Sequence, residues 1–241
     1  MRKNGVNSYL IRHDLFHKKA SKEIYSAITK MAKNYPSTDG QEIVLAYKRL
    51  YFEIMSKEGD NIWEEDVQPV LNDMLGKADV QMNRLYIWRN EIGRFFETVV
   101  RPIAESVAET TMKLLQALNL TPQTPKNERS KALTDFLDTQ KGRAINLGRT
   151  ATTHAMNRGA LMAVSSSGLP WNKAWVSIKD ENTRNAHLTM NANDYIPIDQ
   201  FFVVGGEPML FPTDGSAGAS ISNIANCRCG MTFKLGKPSR R

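Results

Sequence analysis

The chain has 241 residues, 41% of them hydrophobic and 24% charged, a net charge of +7, and two cysteines. That is enough for one large domain or two modest ones with a real core. No stretch approaches the roughly 20 apolar residues that span a bilayer, so no membrane partner is required. The opening Met1-Arg2-Lys3-Asn4-Gly5 is basic with no apolar run behind it, so it reads as no secretory signal, and synthesis in a cytoplasm is the expectation.

From Tyr9 to Met31 apolar residues recur at helical spacing, and Pro36, Asp39 and Gly40 mark a break. A second helical run from Ile43 to Met55 is expected to end near Gly59-Asp60. A third, from Trp63 to about Leu75, opens on Glu64, Glu65 and Asp66, where a helix dipole favours negative charge. A long helix is expected from about Ala78 to Leu118, kinked or interrupted by Pro102. Thr121-Pro122-Gln123-Thr124-Pro125 reads as a linker, and a further helix runs from about Asn127 to Ser165.

Beyond Ser165 the character changes. Lys173 to Ile178 alternates as a strand, with Trp175 expected in the core between that strand and the preceding helix. Thr183 is placed to cap a short helix reaching about Met190. Tyr195 to Ile198 and Phe201 to Val204 are short extended pieces, Gly205-Gly206-Glu207-Pro208 a turn, residues 212–220 a loop, and Arg228 to Leu235 a closing strand. The expected class is α+β: a helical body (1–120), a linker and connecting helix (121–165), and a small α+β domain with a short antiparallel sheet and a basic tail (166–241).

Charge is uneven. Residues 1–34 carry eight Lys and Arg against two Asp and Glu, residues 35–120 nine against fourteen, and residues 121–241 fifteen against nine. Arg2, Lys3, Arg12, His13, His17, Lys18, Lys19 and Lys22 gather along the first helix with Tyr9 and Phe16 interleaved. Lys234, Lys237, Arg240 and Arg241 lie at the other end. Such clusters suit phosphate contact without base reading, so non-specific DNA is a candidate partner. The alternative is a solvated face or docking on an acidic partner.

Cys227 and Cys229 are too close to staple the fold by closing a long loop, and a reducing cytoplasm disfavours a structural disulfide. They read first as small buried thiols. On a strand both would point to one side, with Arg228 opposite. With His187, and Asp180 as a fourth group, they are also the residue types of tetrahedral zinc, although zinc pairs are usually spaced more widely. No cofactor is expected on this reading, and a metal on His187, Cys227 and Cys229 is the alternative. Arg184 and His187, three apart, share a helix face, and Asp180 ahead of them could cap amides or pair with Arg184. Asn226 reads as a turn residue that satisfies the backbone.

Five segments in order carry a resemblance. They are the helix Arg149-Thr150-Ala151-Thr152-Thr153-His154-Ala155-Met156-Asn157-Arg158-Gly159, the strand Lys173 to Val176, and Asp180-Glu181-Asn182-Thr183-Arg184-Asn185-Ala186-His187. Met209-Leu210-Phe211-Pro212-Thr213-Asp214-Gly215 and Asn226-Cys227-Arg228-Cys229 follow. Together they resemble the phage Mu protein F-like family over about residues 145–233, through its Asp-x-x-Thr-Arg-x-x-His signature, Pro-Gly-Asp loop and Asn-Cys-Arg-Cys box. Two departures stand out: Thr213 replaces the loop glycine, and Ala151 stands where relatives often carry glutamate. The resemblance implies a minor head protein of a tailed double-stranded DNA phage, a virion component acting in head morphogenesis, DNA packaging or genome delivery. Its implied partners are the portal protein or the inner capsid. Without a phosphate-binding glycine loop, a magnesium-type carboxylate cluster or a second acid or base beside His187, no enzymatic activity is expected. The alternative is a toxin-like or nucleic-acid-processing enzyme domain delivered with the DNA.

Overall fold

The helical body follows from the apolar spacing. In a computed structural model of the chain, residues 3–75 and 84–236 are described. Arg2, Lys237, Arg240 and Arg241 lie outside them, as does the expected start of the long helix at about Ala78. Helix α1 (Lys3–Lys33) buries Tyr9, Phe16, Ile24, Ile28 and Met31 along one stripe. Helix α2 (Gln41–Ile62) meets it with Ile43, Tyr47, Leu50, Ile54 and Met55.

Gly59 and Asp60 do not end this helix, contrary to the sequence expectation. Glu58 and Gly59 lie on the buried face, and α2 continues to Ile62. A wide π-type turn over Trp63–Val67 then leads straight into α3 (Gln68–Leu75). A helical glycine costs only about 1 kcal/mol, and burial of Ile62, Trp63 and Val67 offsets that. Glu64 to Asp66 therefore sit within a continuous helical path and not at a free N-terminus.

The expected interruption near Pro102 is present. Helix α4 (Arg84–Phe95) and helix α5 (Arg101–Gln116) are joined by a second π-type turn at Phe96–Val100, where the Arg101 N–H reaches back to the Phe96 carbonyl. Pro102 has no N–H to offer the preceding turn, and the widened turn absorbs that loss.

After the linker comes α6 (Lys126–Ser166), a 41-residue helix packed along α1 and α2. Every residue from Ala151 to Asn157 on it is buried. Two glycines permit the close approach. A Cβ at Gly148 would lie 2.7 Å from the Ser21 backbone nitrogen, and one at Gly159 would lie 2.6 Å from the Met55 carbonyl oxygen.

The remainder is the α+β part expected from the sequence. Strand β1 (Trp171–Val176) lies between β2 (Ile196–Pro197) and β5 (Gly230–Leu235), antiparallel to both, with Trp175 opposite Met231. A hairpin of β3 (Phe202–Val204) and β4 (Glu207–Met209) turns on Gly205 and Gly206, both at positive φ as a tight hairpin turn of this twist requires. The short helices α7 (Asn185–Leu188) and α8 (Ile221–Ile224) complete it. Trp171, Trp175, Phe202, Met231 and Phe233 belong to the same apolar core as α1, α2 and α6. Among the described residues no helix is long and apolar enough to cross a membrane.

Candidate functional site

The closing strand begins at Gly230 and not at Arg228 as expected, so Asn226 to Cys229 form an irregular approach to it. Irregular backbone must find its hydrogen bonds elsewhere. Helix α6 supplies them from one face at helical spacing. The Thr150 hydroxyl accepts the Asn226 N–H (3.0 Å), the Thr153 hydroxyl donates to the Cys227 carbonyl (2.5 Å), and Asn157 Nδ2 donates to the Cys229 carbonyl (3.0 Å). The Tyr9 hydroxyl on α1 donates to the same Cys229 carbonyl at 3.1 Å. Asn226 itself adopts φ +59, a left-handed turn conformation that asparagine tolerates.

His13 extends this network. Its Nε2 lies 2.9 Å from the Thr153 oxygen, whose single proton already goes to a backbone carbonyl. His13 must therefore donate, which fixes it as the neutral Nε2–H tautomer. Burial, with His17, Arg228 and Arg149 nearby, pulls its pKa down to about 4.

The Asp180–His187 segment folds differently from the expected cap. Thr183 does not cap α7. Its hydroxyl donates to Asp180 Oδ1 (2.8 Å) and accepts the Asp180 N–H (3.2 Å), so the turn closes on itself. Arg184 occupies the N-cap position. Asp180 pairs with Arg228 at 2.7 Å and not with Arg184, whose guanidinium donates to the Ala225 carbonyl. The Arg228 pairing, together with the Thr183 and Asn182 donors, outweighs burial and lowers the Asp180 pKa.

His187 is buried with Cys227 and Cys229. Its Nε2–H donates to Asn223 Oδ1 at 2.7 Å. The Asn223 amide cannot flip without loss, because its Nδ2 donates to the Val204 carbonyl and to Glu207 Oε2, both at 2.9 Å. The imidazole is thereby held with Nδ1 facing both sulfurs, each 3.5 Å away. All three candidate ligand atoms lie within 4.8 Å of one another. Trp175, fully buried as expected, sets its ring edge-on to His187 and Phe202 and walls the cluster. The neighbouring Cys229, together with burial, pushes the Cys227 thiol up. Cys227 and His187 draw Cys229 down against burial. Burial disfavours the His187 cation, but Cys229 and Asn223 outweigh it and raise its pKa.

A cleft reaches the cluster from outside, lined also by Ile178, Asn182, Thr183, Arg184, Asn226 and Arg228. Its free volume of about 10 Å³ matches a single water molecule. Asn226 Oδ1 is buried there with no hydrogen-bond partner.

The Met209–Gly215 segment lies on another side of α6. Asp214 is buried and accepts the Leu210 N–H (2.9 Å), the Ser216 N–H (3.0 Å) and the Ser216 hydroxyl (3.0 Å). Thr213 takes φ +76, the conformation for which glycine is suited. Lys173 is fully buried, donates to the Leu210 carbonyl (2.6 Å) and lies 5.0 Å from the Phe202 ring centre; burial brings its pKa down to about 8 despite Asp214 and Asp199. Sequence reading missed Lys173, whose place on an alternating strand hid it, and Asn223, which lies outside every quoted motif.

The basic residues divide. Arg12 is held by Glu58 through two hydrogen bonds (2.9 and 3.0 Å) and is an internal partner, not a free phosphate ligand. Lys18 pairs with Asp14 and Lys19 with Glu53, at 2.7 and 2.5 Å, while Lys22 is exposed. Lys3 lies within α1.

Compared with models of protein families, with curated proteins and with solved structures, the chain has no match.

Proposed function

We propose that the chain is a minor head protein of a tailed double-stranded DNA phage, a non-enzymatic virion component that docks on the portal or the inner capsid and lies close to packaged DNA. The observation that carries this reading is spatial. The segments that resemble the Mu protein F-like family are scattered over about ninety residues, yet four of the five meet around one cluster. Thr150, Thr153 and Asn157 of the helix hold Asn226, Cys227 and Cys229 of the box. Asp180 of the signature binds Arg228 of the box, and Trp175 of the strand packs on His187 of the signature. That convergence is what supports the reading.

The interaction reading fits the site better than turnover of a macromolecular substrate. The cleft beside His187 and Arg184 is small, with a free volume of about 10 Å³. DNA contact is assigned to the exposed basic positions Lys18, Lys19 and Lys22, with a strong salt dependence. Mass spectrometry of intact and DNA-emptied particles of the encoding phage tests the proposal. The chain is expected in intact particles at a few copies. Its absence from both kinds of particle would refute the reading.

A further inference from the structure

We infer that His187, Cys227 and Cys229 bind one zinc ion, with the fourth coordination position open to the cleft between Arg184, Asn226 and Arg228. The geometry points there on three counts. Zinc–sulfur bonds of about 2.3 Å and zinc–nitrogen bonds of about 2.0–2.1 Å at tetrahedral angles set nitrogen and sulfur about 3.6 Å apart. His187 Nδ1 stands 3.5 Å from each sulfur. A histidine that ligates zinc characteristically gives its other N–H to a fixed acceptor, which sets tautomer and ring orientation. Here that acceptor is Asn223 Oδ1, itself oriented by Val204 and Glu207. Third, Asn226 lines the water-sized cleft, and its Oδ1 is buried with no hydrogen-bond partner. A metal-bound water in that cleft would donate to it.

Two soft thiolates and an imidazole in a tetrahedral array select zinc over the hard cations, which take oxygen ligands. The sequence spacing understates the site, because the two cysteines are not on a flat strand. They lie on an irregular turn that α6 shapes through Thr153 and Asn157. Zinc would tie α7 to the approach of β5, two segments otherwise joined by the Asp180–Arg228 pair and the Arg184–Ala225 hydrogen bond. Asn223 is then a positioning residue, not a ligand.

The inference is independent of the phage proposal, since it is read on the purified chain and not on virions. The full chain, produced in zinc-supplemented medium and purified without chelator, is expected to carry about one zinc per molecule by elemental mass spectrometry. Replacing zinc with cobalt(II) should give sulfur-to-cobalt charge transfer and the intense visible bands of a tetrahedral centre. Cys227→Ser, Cys229→Ser and His187→Ala should each lose the metal. Asn223→Ala should keep the spectrum but weaken affinity about 10–100-fold in chelator competition. Thiocyanate added to the cobalt form should shift the visible bands, reporting the exchangeable fourth position. Less than half an equivalent of zinc in the unmodified chain, another metal in its place, or a Cys227–Cys229 disulfide seen as a mass two hydrogens lighter would overturn the site. Visible bands indifferent to thiocyanate would overturn its open position.

Discussion

Acid should destabilise the fold well before its carboxylates titrate, through His13 and His154. Both are buried and neutral, with pKa values pulled down to about 4, chiefly by burial. His154 is enclosed by Tyr51, Phe95 and Phe211, and its Nδ1 lies 3.0 Å from the Tyr51 hydroxyl, which donates to it. An unfolded histidine titrates near 6.5. Between about 6.5 and about 4 the unfolded chain binds protons that the folded chain refuses, so stability falls as pH falls through that window. At pH 5 each group costs about 2 kcal/mol against about 0.2 at pH 7, so the pair removes roughly 4 kcal/mol. That is a large share of a typical domain stability of about 5–15 kcal/mol. Other groups that titrate in the same window add to the total in both proteins. The measurement is therefore a difference. Urea unfolding at pH 7 and pH 5 is compared between the natural chain and the double variant His13→Gln, His154→Asn. Glutamine can keep the donor toward Thr153, and asparagine can keep an acceptor for Tyr51. The variant should be weaker at pH 7 yet lose about 4 kcal/mol less on going to pH 5. Parallel losses in the two proteins would refute the assignment.

Two further substitutions probe the α+β part. Trp175→Ala removes the fully buried ring that walls His187 and should cost about 3–5 kcal/mol in urea unfolding; an unchanged midpoint contradicts its place in the core. Thr213→Gly relieves a β-branched residue at φ +76 and should stabilise by about 1 kcal/mol in a thermal melt, because strain of this kind costs about 1–3 kcal/mol and glycine returns part of that as chain entropy. A clear loss of stability would show that the Thr213 side chain contributes more than its backbone costs.

Helices were legible where a periodic apolar stripe met a strong stop. The linker at Thr121–Pro125 and the interruption before Pro102 both stand where expected, because proline removes a donor in any context. Gly59-Asp60 misled, because a glycine penalty is small beside the burial of Ile62, Trp63 and Val67. The site was legible as residue types but not as geometry. Thr183 looked like a cap from its position alone, yet Asp180 offered its hydroxyl a closer partner three residues back. Asn223, 36 residues from His187, leaves no local trace of the hydrogen bond that orients the ring.

Ala151 and Thr213, the two positions that depart from the pattern the chain resembles, fall together. Ala151 lies three and seven residues before His154 and Arg158, so the three share one stripe of α6. His154 on that stripe touches Phe211, and Asp214 acts on its charge. Thr213 stands between those two loop residues. The neighbouring stripe of Thr150, Thr153 and Asn157 instead holds the thiol-bearing turn. A carboxylate at 151 would therefore face the His154–Asp214 flank and not the sulfurs. Alanine at 151 puts no ionisable group on that flank and leaves the His187–Cys227–Cys229 cluster with all the groups that position it. An acid at 151 would lie on a different face of the helix from the one that builds the proposed zinc site.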